Sequence, residues 1–290
     1  MRAFEYHAPA SLDEAQELLA RHGDEAKLLA GGTGLIILMK QLLVQPARLV
    51  SLRKVPALER IARVNGALHV GATATHRAVE MSPMVRELLP LLSEVYGHVA
   101  TVRIREMATV GGGLAHADPT QDSPLAFLVL DASVRLSSSR GQRTIAVDGL
   151  FLDHYTTVLE PDEVLTEVLV PLPDPGTGTA FMKFQPHTVA DYPTVSVAAG
   201  LSLDESGRCR KARLALGSVG STPVRARTAE AMLTGNRLTP QLLGDAAQSV
   251  AQELDPISDL RGSADYKRKM AVVFTRRALE AAAARTGKAA

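Results

Sequence analysis

The chain has 290 residues, 46% hydrophobic and 22% charged, with a formal net charge of +1. That length admits two domains, and the balanced charge with no Trp leaves no electrostatic or stacking footprint for nucleic acid. The single cysteine, Cys209, excludes an intrachain disulfide, a thiolate-held iron–sulfur cluster and a multi-cysteine zinc site within the chain.

From the N-terminus, Met1-Arg2-Ala3-Phe4-Glu5 runs directly into folded-looking sequence, with Phe4-Glu5-Tyr6 a short strand. The longest apolar stretch, 28–44, is interrupted by three glycines and Lys40, so a reduced, cytoplasmic protein with no membrane span is expected. Ser11-Leu12-Asp13-Glu14 is a capping box that opens a helix through about Arg21, with Gly23 as its stop. A strand at 27–29 leads into the glycine cluster Ala30-Gly31-Gly32-Thr33-Gly34 and a helix over 34–43, ended before Pro46. Strand 48–52 follows, then a hairpin of 61–64 and 67–70 around Asn65-Gly66. Short helices are expected near 77–80, 84–87 and 91–98, and Arg103 and Arg105 read as alternating charges on an extended segment. A second glycine cluster, Thr109-Val110-Gly111-Gly112-Gly113, reads as a loop before a helix over 124–130 and strands at 133–136, 143–146 and 163–170.

Pro171-Leu172-Pro173-Asp174-Pro175-Gly176-Thr177-Gly178 is the clearest linker and places a domain boundary at 176/177. Past it come strands at 180–184, 194–203 and 210–217, then helices at 228–233, 240–253 and 263–285. The fold class is α+β, with a mixed domain over 1–176 and a smaller one of antiparallel sheet plus helices over 177–290.

Consecutive glycines can turn their N–H groups to one side and admit a bulky anion. Two such loops, each with a Thr hydroxyl, point to one extended ligand whose two phosphates are gripped from both ends. The spacing is neither G-x-G-x-x-G nor a P-loop.

The motifs resemble those of the FAD-binding subunit of the molybdenum hydroxylases, the xanthine dehydrogenase and carbon monoxide dehydrogenase group. The resemblance rests on Leu29-Ala30-Gly31-Gly32-Thr33-Gly34-Leu35, on 102–119 with its Val102-Arg103-Ile104-Arg105-Glu106-Met107 lead-in, on Asp122, on Phe181-Met182-Lys183-Phe184, on Asp191-Tyr192 and on Ser263-Ala264-Asp265-Tyr266-Lys267-Arg268. It implies an FAD domain of the vanillyl-alcohol-oxidase (PCMH) type followed by a CO dehydrogenase flavoprotein-type C-terminal domain. It implies non-covalent FAD, with Leu29 to Leu35 on the pyrophosphate, and Thr109, Val110, Gly111, Gly112 and Gly113 closing from the other side. Asp122 would accept from sugar or ribityl hydroxyls, Leu165 and Lys183 would lie near the isoalloxazine, and Tyr192 would stack on or beside it.

It further implies an oxidoreductase complex, a dimer of heterotrimers, in which other chains carry [2Fe–2S] clusters and molybdopterin. This chain would pass their electrons to an external acceptor, with NAD, oxygen and quinones all open. A self-sufficient flavin oxidoreductase and a flavin-less scaffold are the alternatives. Gly34 and Gly113 depart from the polar residues frequent in the family, each removing one side-chain hydrogen bond. His116 reads as a loop cap rather than a flavin tether, Asp118 as a loop cap, and no catalytic residue or metal is assigned.

Overall fold

The structure is a computed structural model that describes residues 1–186, 188 and 190–287. It divides into two compact units that do not follow chain order. One comprises Met1–Val79, Thr101–Ala117 and Ala132–Val170; the other Glu80–Ala100, Asp118–Asp131 and Pro171–Ala290.

The first unit holds a small parallel sheet, β1 (Glu5–His7), β2 (Ala26–Leu29) and β3 (Arg48–Ser51), in the order β1-β3-β2. Helix α1 (Leu12–His22) joins β1 to β2. Its Ser11 hydroxyl accepts the Glu14 N–H at 3.2 Å, while Glu14 Oε2 reaches one residue further out than a capping box requires, to the Ala10 N–H at 2.8 Å. Ala15 and Leu19 of α1 pack with Ala26, Val50, Leu58 and Val164 in a buried cluster. Helix α2 (Leu35–Lys40) is shorter than expected, because Leu42 takes a left-handed φ of 62°. Hairpin β4 (Ile61–Val64) and β5 (Ala67–Gly71) turns on Asn65 at φ 48° and Gly66 at φ 80°, the two positive angles of a type I′ turn. Helix α3 (His76–Met81) lies where the chain leaves this unit.

Helices α4 (Pro83–Leu88) and α5 (Pro90–Gly97) belong to the second unit, and α6 (Val102–Met107) and α7 (Val110–His116) to the first. The segment of Arg103 and Arg105 is therefore helical, not extended. Thr101 caps α6 by accepting the Ile104 N–H, and six residues are too few for a periodicity to be read. Helix α8 (Ser123–Val129) returns to the second unit. Strands β6 (Ser133–Ser138), β7 (Gly141–Ala146) and β10 (Val164–Pro171) complete a five-stranded sheet in the order β4-β5-β10-β6-β7. An unexpected hairpin of β8 (Phe151–Asp153) and β9 (Thr156–Thr157) sits before β10.

The second unit is built on the antiparallel strands β11 (Gly178–Phe184), β12 (Val195–Leu203), β13 (Cys209–Gly217) and β14 (Val224–Arg225). Alternate residues of β12 (Val195, Val197, Ala199 and Leu201) face a core shared with α9 (Arg227–Leu233), α10 (Pro240–Ser249) and α11 (Ala264–Arg285). The opposite side of β12 and β13 carries α8, every residue of which is buried. Helix α11 begins where expected, Ser263 accepting the Tyr266 N–H as N-cap.

Candidate functional site

Ala30 to Gly34 span the turn between β2 and α2, with Gly32 at φ 74°. The carbonyls of Gly32 and Gly34 accept the first N–H groups of α2, from Ile36 at 3.1 Å and Leu38 at 3.2 Å. The N–H groups of Gly31, Gly32, Thr33 and Gly34 donate to no protein acceptor among the described residues. A half-buried row of four backbone donors with no acceptor is costly unless water or an anion meets it. A Cβ on Gly31 would collide with the Met107 carbonyl oxygen, so only glycine lets the row lie this close to α6.

The second glycine cluster is not a loop. It is the first turn of α7, with Thr109 as N-cap. Its donors are already engaged: Val110 N–H to Ala74 O at 3.0 Å, Gly111 N–H to Ala72 O at 2.8 Å, Gly112 N–H to the Thr109 hydroxyl at 3.2 Å and Gly113 N–H to Thr109 O at 2.9 Å. The expectation of two opposed donor loops is thereby corrected. These glycines serve close packing instead. A Cβ on Gly111 would sit 2.5 Å from the Ala72 Cβ, and one on Gly112 would sit 3.6 Å from the Ala30 Cβ, so α7 starts against the first loop.

Two histidines complete this face of the first unit. His116, the last residue of α7, lies with its ring 5.2 Å from that of Tyr155, and its Nε2 would be 2.7 Å from a Cβ on residue 34. With no Cβ at Gly34, the His116 imidazole lies directly against the loop backbone. His76 Nε2 lies 3.2 Å from the Thr109 carbonyl, and burial pushes the imidazole down to about 4. Leu165 is 4% exposed within the sheet, opposite Leu136 and next to a bulge in β10.

In the second unit, Lys183 Nζ lies 2.7 Å from Asp122 Oδ2 and donates to the His98 carbonyl at 2.9 Å. The two side chains are 3% and 4% exposed. Burial pushes the Asp122 carboxyl up, against the pull of the Lys183 ammonium. The Lys183 charge is therefore held by Asp122. Asp118 acts as the expected loop cap, accepting the Thr120 N–H at 2.9 Å and the Thr120 hydroxyl at 2.6 Å. Tyr192 is 47% exposed, with the Arg261 guanidinium 5.4 Å from its ring centre.

Residues 2–173 match the family described as the FAD binding domain in molybdopterin dehydrogenase, and residues 179–282 match the CO dehydrogenase flavoprotein C-terminal domain. The chain belongs to the FAD-binding medium subunits of the xanthine dehydrogenase and carbon monoxide dehydrogenase family. It is 38% identical to the carbon monoxide dehydrogenase medium chain of Hydrogenophaga pseudoflava, covering 97% of this chain and 98% of that one. It is 36% identical to the nicotine 6-hydroxylase medium subunit of Paenarthrobacter nicotinovorans, covering 98% and 99%. Among solved structures it matches carbon monoxide dehydrogenase from Hydrogenophaga pseudoflava at a TM-score of 0.96, with 38% identity over 99% of both chains. It also matches quinoline 2-oxidoreductase from Pseudomonas putida 86 at a TM-score of 0.91, with 37% identity over 98% of both.

As a member of this family the chain is the flavoprotein part of an oxidoreductase, and its N-terminal half is an FAD-binding domain. The donor row of Gly31 to Gly34 suits such a ligand, since a pyrophosphate is an anion with acceptor oxygens on every side. Three groups that contact the expected residues escaped the sequence reading: His76, the His98 carbonyl and Arg261. Each acts through a contact distant in sequence, and no local motif marks it.

Proposed function

We propose that this chain binds FAD non-covalently and serves as the electron-transfer subunit of a molybdenum hydroxylase complex. The observation that carries the reading is the row of four unengaged N–H groups at Gly31, Gly32, Thr33 and Gly34. These donors, with the Thr33 hydroxyl, would hold the pyrophosphate, flanked by Leu29, Ala30 and Leu35. Thr109, Val110, Gly111, Gly112 and Gly113 would contribute as a close-packed wall, since their N–H groups are used within the protein. On the sequence resemblance the proposal extends to Leu165 and to Asp122, Lys183 and Tyr192. Lys183 would act there by fixing the Asp122 carboxylate, which in turn would accept from ligand hydroxyls.

When bound, FAD supplies a carrier able to take electrons from a one-electron donor and pass them to a two-electron acceptor. One cysteine cannot ligate an iron–sulfur cluster, so that donor would be a partner chain carrying [2Fe–2S] clusters, beside a second partner carrying molybdopterin. The molybdenum cofactor named for the matched carbon monoxide dehydrogenase structure, and the medium-chain and medium-subunit names of the relatives, support such a partnership. The reading includes a dimer of heterotrimers, a small-molecule acceptor and a cytoplasmic location. No helix among the described residues is long and apolar enough to cross a membrane. The two family matches, ending at 173 and beginning at 179, support a module boundary at 176/177.

The test is the visible spectrum of the purified chain, repeated on the supernatant after acid precipitation. Flavin bands that move to the supernatant are expected. Bands that stay with the pellet would overturn the non-covalent reading and make His116 the first candidate for a tether, and a chain colourless after incubation with excess FAD would overturn the proposal.

A further inference from the structure

Tyr192 belongs to the second unit, and what surrounds it there was assigned no role by the sequence. Asp191 Oδ1 accepts the Tyr192 N–H at 2.7 Å and also receives Arg261 Nη2 at 3.0 Å. The same guanidinium lies 5.4 Å from the Tyr192 ring centre. Arg261 therefore grips both ends of the dipeptide, the carboxylate that sets its backbone and the ring itself. Its Nε is buried with no hydrogen-bond partner among the described residues, as suits a guanidinium placed for a ring face.

Arg261 is itself held firmly. Its N–H donates to Asp259 Oδ1 at 2.8 Å, and its carbonyl accepts from the Thr194 hydroxyl at 3.1 Å. Asp259 and Gly262 exchange two backbone hydrogen bonds at 3.1 Å, and Lys267 of α11 anchors Asp259 Oδ2 at 2.7 Å. A bracket this well fixed beneath a ring that is nearly half exposed is a preset platform. A core tyrosine would be covered, and a casual surface tyrosine would not be clamped twice.

We propose that Arg261 is a positioning residue for the flavin. It presents the Tyr192 ring in a fixed orientation and places a permanent positive charge behind it. The inference rests on the reading of Tyr192 as a flavin contact. Only arginine does both jobs, because its planar fork can pair with Asp191 and lie over the ring at once, whereas a lysine ammonium is a point charge.

The test uses the full chain reconstituted with FAD, reading the FAD dissociation constant and the quenching of flavin fluorescence by the stacked ring. Tyr192→Ala is expected to weaken FAD about two- to tenfold and to brighten the flavin. Arg261→Gln is expected to move both readouts the same way by about two- to fivefold. The double variant should be no worse than Tyr192→Ala, since Arg261 acts through the ring. Arg261→Lys, a milder change for the fold, should fall with Arg261→Gln rather than with the wild type.

Additive losses in the double variant, or wild-type quenching in either Arg261 variant, would overturn the proposal while leaving Tyr192 at the flavin. If Tyr192→Ala alone leaves both readouts unchanged, the reading of Tyr192 fails and the proposal goes with it.

Discussion

The Asp122–Lys183 pair is a buried charge pair in the second unit. Its two charged groups lie in the protein interior at 2.7 Å, each almost wholly removed from water. Such a pair gives little net stability, but removing one partner strands the other at a cost of about 3–5 kcal/mol. The direction of the Asp122 shift fixes how that cost depends on pH. A carboxyl raised above its unfolded value binds protons more tightly when folded, so stability falls as pH rises through the interval between the two values. Lys183→Met deletes the charge that holds Asp122 down, and extends this interval upward. The variant should therefore lose more stability at about pH 8 than at about pH 5, measured by urea unfolding. Equal losses at the two pH values would mean that the pair is not what the substitution broke. A second change tests the donor row: Gly31→Ala drives a methyl into the Met107 carbonyl. Its expected effects are about 1–3 kcal/mol of destabilisation and loss of FAD retention together. A stable, FAD-retaining Gly31→Ala chain would refute the close approach of the first loop to α6.

At the level of elements, the decisive junction joins α3 to the N-cap of α7. His76 N–H donates to the Ala108 carbonyl at 2.9 Å, while its ring meets the Thr109 carbonyl. Burial is the main cause of the lowered imidazole value of about 4, against a usual 6.5. A neutral buried histidine must take up a proton on unfolding in mild acid. Its contribution is complete above pH 6.5 and declines as pH falls toward 4, where about 3 kcal/mol has gone. His76→Gln should flatten the acid limb of the stability curve relative to wild type; an unchanged limb would place the acid sensitivity elsewhere. Thr109→Ala, which removes the cap hydroxyl, should cost about 1 kcal/mol in the same assay.

This junction also marks where the sequence stops being readable. Ser11 and Asn65-Gly66 announced their helix and turn because the signal is local and the chemistry is one residue deep. Thr109-Val110-Gly111-Gly112-Gly113 carries the composition of a loop. Glycine is needed there because Ala72 and Ala30 stand against the helix, and those contacts come from residues 39 and 82 positions away in the outer cases. The first loop was legible as a donor row for the opposite reason: the N–H groups that make the row belong to its own backbone.

For the molecule as a whole, the sequence suggests a change of pattern at 171–178, but the path of the chain through its compact units was not legible. Segments Glu80–Ala100 and Asp118–Asp131 group with the C-terminal half, although they stand far before the linker. Only tertiary packing can reveal this, since α8 looks like any short apolar helix. Its partners explain the grouping. Leu125 packs beside Gly217, and Val129 reaches the bare backbone of Gly200, so the side of β12 and β13 turned away from the main core is shaped to receive this helix. The consequence is testable. A chain of residues 177–290 keeps the core face of β12 but leaves the α8 face open to water. Losing the burial of Leu125 and Val129 alone removes about 3–6 kcal/mol, comparable to the whole stability of a small domain. That fragment should unfold in urea without a cooperative transition and bind an apolar dye, whereas the full chain should do neither. A fragment that melts cooperatively at the midpoint of the full chain would mean that α8 is a passenger, and that the C-terminal module carries its fold in its own residues.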